Sequence, residues 1–440
     1  MPYHGVPKSN ALYDRALEIL PGGTQLFSRR ADRFVPGITP MYLERAEGVH
    51  LWDVDGNEYL DFGMGCGPVI LGHAYPAVTE AVVRQAALGN CYTVNSPLEI
   101  ELAELLIELV PCAEMVRFCK CGGETNAAAI RIARGHTGRD VVLFCGYHGW
   151  HDWYLAANLQ DDSTLNNHLL PGLDTRGVPQ ALAGTAIPFE FNNLDSLRAA
   201  LESNRGRVAC IIMEAARTKQ PDPGFLEGVR ALADEHEVVL IFDEVVTGFR
   251  MALGGAQEYF GITPDMATYA KALSNGIPLG AVCGKRAVME SAATMFISST
   301  YFSDTVGLAA SLATLRELRD QPVLAHIWAL GEQLKSGLQA LAGKYGLAFH
   351  CDGYPPVLHM GFDEPDEERR VLLTTIYLQE MIRAGVLCLM GTYLSYSHRP
   401  EHIEQYLAGA EAAFRLIGRT NDLESLIEAG LWGQHFRRLV

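Results

Sequence analysis

Two apolar runs, each ending at a charged residue, constrain this chain more than any other feature. Residues 238–242 lead into Asp243, and residues 266–270 lead into Lys271. A short continuous apolar run rich in Val and Ile reads as a strand buried on both faces, as in a parallel sheet covered by helices. Both charges then stand at strand carboxyl ends, where open α/β sheets hold their ligands. An acid and a lysine on neighbouring strand ends suit pyridoxal phosphate. The amine forms a Schiff base, and the acid keeps the pyridine nitrogen protonated so that the ring accepts electrons. A structural ion pair is the alternative reading of the same two residues.

The pattern around these runs alternates. Strands are predicted over 116–121, 141–145 and 208–213, with helices over 124–134 and from Pro223 to about Glu235. Such alternation implies parallel pairing with right-handed crossovers. Farther on, helical patterns over 332–344 and 367–384 surround strand-like runs at 357–360 and 386–390.

Composition fits a globular enzyme. With 440 residues and 48% hydrophobic content, the chain can bury a large core and is expected to form more than one domain. Thirty-five basic against 52 acidic residues give a formal charge of −17, which disfavours nucleic acid or an anionic membrane as partner. No apolar stretch reaches membrane-spanning length, and residues 1–10 lack a charged segment followed by an apolar one, so a cytoplasmic location is expected. The ten cysteines are irregularly spaced and read as reduced residues, most of them in the core. The close pair Cys119 and Cys121 lacks the further ligands a structural zinc would need, so no metal is expected. Cys121-Gly122-Gly123-Glu124-Thr125, lying between a strand and a helix, offers backbone N–H groups at a helix start, where an anionic phosphate is favoured.

Further blocks give the chain a family character. They are Pro21-Gly22-Gly23, the stretch 47–61, Ile70-Leu71-Gly72-His73, Tyr147-His148-Gly149, the Asp243 and Lys271 segments, and Tyr396-Ser397-His398. In this order the chain resembles the class III pyridoxal-phosphate-dependent aminotransferases of fold type I. Within that class it is most similar to the glutamate-1-semialdehyde 2,1-aminomutases, and the likeness runs almost end to end. It implies an α/β large domain with a mixed, mostly parallel seven-stranded sheet and a smaller α+β domain. The expected boundaries are 1–69 for an N-terminal segment that joins the small domain and dimer interface, 70–325 for the large cofactor domain and 326–440 for the small domain.

The resemblance also implies roles for single residues. Lys271 carries the cofactor and Asp243 pairs with its ring nitrogen. Gly122 and Gly123 hold the phosphate, with Cys121 and Thr125 beside them; the family usually has serine, glycine and threonine where this chain has Cys121, Gly122 and Gly123. Tyr147 is expected to stack on the ring. His148 either lines the substrate pocket or packs the following loop. Glu214 is a strand-end polar contact near cofactor or substrate. Thr300 would reach the phosphate of a second subunit, which implies a homodimer with shared sites. Arg29 would bind a substrate carboxylate through its guanidinium fork, although 29–33 can also be read as a solvated charge run.

The implied reaction is transfer of an amino group from an amino-acid donor, with L-glutamate expected, to an aldehyde or ketone by a ping-pong mechanism. Three departures from the aminomutase pattern favour transamination over intramolecular transfer. The segment 155–163 lacks a small-residue gating character, Cys66 stands where a tryptophan is expected, and 385–398 is shortened. Aminomutase-type transfer, an amino-acid racemase or epimerase, and a non-catalytic interaction protein are the alternatives.

Overall fold

The computed structural model describes residues 3–166, 168, 173–216, 218–420 and 422–433. Its described residues form two compact units. One runs up to Tyr75 and resumes at Val323, and the other is Pro76–Pro322. Residues 434–440, placed in the small domain from the sequence, lie outside the described residues.

The second unit is built on seven strands, numbered here in chain order: β1 (Met115–Cys119), β2 (Val141–Cys145), β3 (Ala186–Pro188), β4 (Val208–Met213), β5 (Val239–Asp243), β6 (Met266–Tyr269) and β7 (Gly280–Gly284). Their order across the sheet is β1-β7-β6-β5-β4-β2-β3. β3, β2, β4, β5 and β6 pair in parallel, whereas β7 is antiparallel to both β6 and β1. The reversal has a local cause: only residues 270–279 link β6 to β7, too few for the helical crossover a parallel return needs. β2, β4, β5, β6 and β7 are buried at every residue, which is why they read as unbroken apolar runs. The helix Gly122–Thr137 packs Ala129, Ile132 and Ala133 into this core and stops at Gly138, a left-handed cap with φ +67°. The architecture is the fold type I sheet that the resemblance implied.

In the other unit, antiparallel strands Leu43–Glu47, His50–Asp53 and Glu58–Asp61 are joined by Val386–Leu387, and Phe349–Tyr354, Val357–Phe362 and Gly391–Tyr393 form a second sheet. Two expectations shift here. The helix expected over 332–344 spans Val323–Tyr345, because the buried stripe Val323, Ile327, Leu330, Leu334, Leu338 begins right after Pro322. The strand expected over 386–390 pairs only at Val386 and Leu387, and the chain then changes sheets at Gly391–Tyr393.

His398 ties this unit together. Fully buried, its Nδ1 accepts from the Ser395 N–H at 3.0 Å and its Nε2–H donates to the Asp61 carbonyl at 3.1 Å. Burial, aided by His402, depresses its pKa from 6.5 to about 3. The unfolded chain therefore takes up a proton below pH 6.5 that the folded chain refuses. Stability falls as pH drops from 6.5 toward about 3, by roughly 1.4 kcal/mol per pH unit from this residue. Urea titrations across this range should show a shallower pH slope for His398→Gln than for the wild type; equal slopes would remove the residue from this role.

Candidate active site

The site is organised around Asp243, which ends β5 and is 4% exposed. A buried carboxylate needs donors, since an unpaired buried charge costs several kcal/mol. Three are present. Asn126 Nδ2 donates to Oδ2 at 2.7 Å, His148 Nδ1 lies 2.8 Å from the same oxygen, and the Val245 N–H donates to Oδ1 at 3.0 Å. Asn126 is positioned in turn by Thr268, whose hydroxyl donates to its Oδ1 at 2.6 Å. Neither Asn126 nor Thr268 was singled out from the sequence. Thr268 is a polar residue inside an apolar run and Asn126 directly precedes one, which was the available signal.

The start of helix Gly122–Thr137 lies against this acid. A Cβ on Gly122 would sit 2.9 Å from Val245 Cγ1, and the Gly149 and Gly123 backbones approach so closely that a Cβ on Gly149 would fall 2.7 Å from Gly123 Cα. The first helical bond is Thr125 N–H to the Cys121 carbonyl at 2.9 Å, so the amides of Gly122, Gly123 and Glu124 precede it and point out of the helix start. That suits a phosphate. Cys121 is the N-cap residue and makes no side-chain cap; partial burial and Glu124 push its thiol pKa up, so it adds no charge against an anion. Thr125 is a correction. Its side chain is fully buried and its hydroxyl donates back to the Cys121 carbonyl at 2.8 Å, the back-bond a threonine in a helix readily makes, so the hydroxyl is already engaged.

Tyr147 follows β2, is 37% exposed and packs edge-on against Tyr154 at 6.0 Å. Its N–H donates to Glu214 Oε2 at 2.9 Å, so Glu214, at the end of β4, fixes the start of the Tyr147–Gly149 turn. For His148 the geometry favours the packed of the two readings. Only 1% exposed, it directs Nδ1 to Asp243 while Nε2 lies 3.2 Å from the Cys145 carbonyl, and Trp153 stacks on it at 6.3 Å. It supports the acid from behind and is not presented to a substrate.

Lys271 opens the Lys271–Ser274 turn directly after β6, the neighbour of β5, with φ +46°. Asp243, Asn126, His148, Tyr147, Glu214, Gly122, Gly123 and Lys271 all belong to the second unit. Thr300 belongs to it too, on an exposed segment. Arg29 lies in the first unit, exposed at the end of the turn Phe27–Arg29, where Ser28 Oγ meets Cys66 Sγ at 3.4 Å.

An acid and a lysine on adjacent strand ends, beside a glycine-lined helix start, define a pyridoxal-phosphate-dependent transferase of fold type I. Relatives carry this further. The class-III aminotransferase family profile matches residues 35–389. The chain is 34% identical over 406 residues to a 3-aminobutyryl-CoA aminotransferase of Cloacimonas acidaminovorans, covering 90% of this chain and 94% of that one. It is 36% identical over 428 residues to a glutamate-1-semialdehyde 2,1-aminomutase of Syntrophobacter fumaroxidans, covering 92% and 97%. Among solved structures, the pyridoxal-phosphate internal aldimine form of the FumI protein of Sphingopyxis sp. MTA144 superposes with a TM-score of 0.85 at 26% identity, over 95% of this chain and 98% of that one. The chain belongs to the class III aminotransferase family, and its cofactor is pyridoxal phosphate.

The glycine contacts can be tested directly. Gly149→Ala adds both a positive-φ penalty and the clash with Gly123, whereas Gly177→Ala, at φ +90° with open space around it, adds only the first. Urea unfolding should show Gly149→Ala less stable than Gly177→Ala by on the order of 2 kcal/mol, with weakened phosphate binding. Equal losses would mean that the two backbones are free to move apart.

Proposed function

We propose that the protein is an aminotransferase that takes an amino group from an amino-acid donor, L-glutamate in the first instance, and delivers it to an aldehyde or ketone. The observation that carries the reading is the pairing of Asp243, held by three donors at the end of β5, with Lys271 at the end of the adjacent β6. Pyridoxal phosphate supplies an electron sink for the carbon that carries the amine. Asp243 would pair with the ring nitrogen of the bound cofactor and favour its protonated form. The free Lys271 Nζ removes the proton from the donor's α-carbon and returns one on the way back. The amides of Gly122 and Gly123 would hold the phosphate, and Tyr147 would cover one face of the ring.

Transamination is favoured over intramolecular transfer by the packing after Tyr147. Trp153, Tyr154, Ala157 and Leu165 are members of the buried core, and the Leu165 N–H donates to Asn158 Oδ1 at 2.9 Å. A gate that opens and closes over a retained intermediate is drawn from weakly packed segments, and the first part of this one, Ala156 to Asn158, is buried, with Gln160 to Ser163 exposed beyond it. Arg29 is assigned to a substrate carboxylate.

The test is the visible spectrum of the protein with pyridoxal phosphate before and after L-glutamate, with Lys271→Ala as control. A lysine-dependent band that disappears with release of 2-oxoglutarate supports the proposal. A band indifferent to glutamate redirects the search to another donor, a mutase or an epimerase, and the lack of any band overturns the enzyme reading.

The working unit is assigned as a homodimer. Phe296 and Val94 are 84% and 79% exposed, near a groove of about 590 Å³ lined by Ile100, Ile107, Phe118, Ile297 and Phe302. Exposed apolar surface of this kind beside Thr300 suits a second copy of the chain. Sedimentation should give a dimer that Ile100→Glu weakens, together with a loss of cofactor affinity. A wild-type monomer that binds the cofactor normally would remove Thr300 from the site.

A further inference from the structure

Asp243 is held by a side chain whose own orientation is set from a neighbouring strand. Asn126 and Thr268 are 2% and 0% exposed. An asparagine amide can face a carboxylate with its NH₂ or with its oxygen, two arrangements of the same shape and opposite sign. Here Nδ2 donates to Asp243 Oδ2 at 2.7 Å and to the His148 carbonyl at 3.2 Å, while Oδ1 accepts from the Thr268 hydroxyl at 2.6 Å. The reversed amide would set its oxygen against the carboxylate and the His148 carbonyl, so the hydrogen-bond partners select one orientation. Thr268 stands opposite Asp243 in the β5–β6 register and lies three residues before Lys271, which opens the turn after that strand.

We infer that Thr268 and Asn126 are positioning residues that hold the Asp243 carboxylate in place for the cofactor ring, Thr268 acting by fixing the direction of the Asn126 amide. The inference rests on the assignment of Asp243 to the ring nitrogen. Without the threonine hydroxyl, Oδ1 loses its donor and the amide loses its reason to prefer one face. Asp243 then keeps His148 and the Val245 N–H but lacks a dependable third donor, and it holds positive charge on the ring less well. A less cationic ring withdraws fewer electrons from the lysine–cofactor linkage, so that linkage keeps its proton to higher pH.

The experiment compares the wild type with Thr268→Val, Thr268→Ser and Asn126→Leu, each reconstituted with pyridoxal phosphate. Cofactor affinity and the pH midpoint of the visible band are read alongside unfolding of the cofactor-free form. Thr268→Val is expected to bind roughly tenfold more weakly and to raise the midpoint by about half a pH unit or more, with Thr268→Ser close to wild type. Asn126→Leu should exceed Thr268→Val in both respects, and it decides the matter if Thr268→Val fails to fold. A wild type without a lysine-dependent band sinks the cofactor assignment itself. A normal wild-type band with Thr268→Val or Asn126→Leu unchanged, or with Thr268→Ser as impaired as Thr268→Val, overturns only the positioning role.

Discussion

Burial of one carboxylate governs much of this structure. Asp243 sits at the end of a strand buried at every position, where an isolated anion would be driven to take a proton or to disrupt its surroundings. Its donors come from three separate elements: the helix after β1, the turn after β2 and the chain after β5 itself. Each hydrogen bond to a charged group contributes roughly 1.5–3 kcal/mol, so no single donor offsets the desolvation of the acid. The three together can. The carboxylate therefore acts as a junction that requires those elements to converge, and the convergence is also what creates the site.

Close backbone approach then fixes how near the elements come. Gly122 against Val245, Gly149 against Gly123 and Gly280 against Thr125 Oγ1 all leave no room for a Cβ on the first-named glycine. These contacts bring the helix start against the Tyr147 turn and the end of β5, where the acid stands. Gly146 does the same for Glu214, whose Oε2 would lie 2.6 Å from a Cβ there. The anchoring of Tyr147 by Glu214 thus depends on a residue with no side chain.

What could be read from the sequence follows from the same physics. Strands covered on both faces appear as unbroken apolar runs, so β2, β4, β5 and β6 and the charges that follow them were legible, and the fold class with them. Directions of side chains were not. Thr125 lies in the right turn for a phosphate contact, yet in a helix its hydroxyl reaches the carbonyl four residues back. His148 follows the right strand, but its ring turns inward to a carboxylate nearly a hundred residues later in the chain. Asn126 and Thr268 were hidden for a related reason: each is informative only through the other, and they are brought together by the packing of a helix on a strand. Thr300 is expected to act in a second subunit and Arg29 belongs to the other unit, so neither spacing nor a single unit's geometry could fix them.

Lys271 carries a further constraint. A non-glycine residue at φ +46° lies in the left-handed region, which costs on the order of 1 kcal/mol and persists only where its surroundings impose it. Those surroundings are visible. Ala272, Leu273 and Ser274 are buried immediately after it, the Leu273 carbonyl accepts from Ser311 Oγ at 2.9 Å, and Asn275 closes the turn at φ +47°. The turn is held from its far side, so the lysine backbone cannot relax into β6 without unseating three buried residues. A lysine continuing the strand would alternate with its neighbours across the faces of the sheet. The left-handed step breaks that alternation at the strand end beside Asp243, and the buried Ala272–Ser274 segment offsets what the step costs.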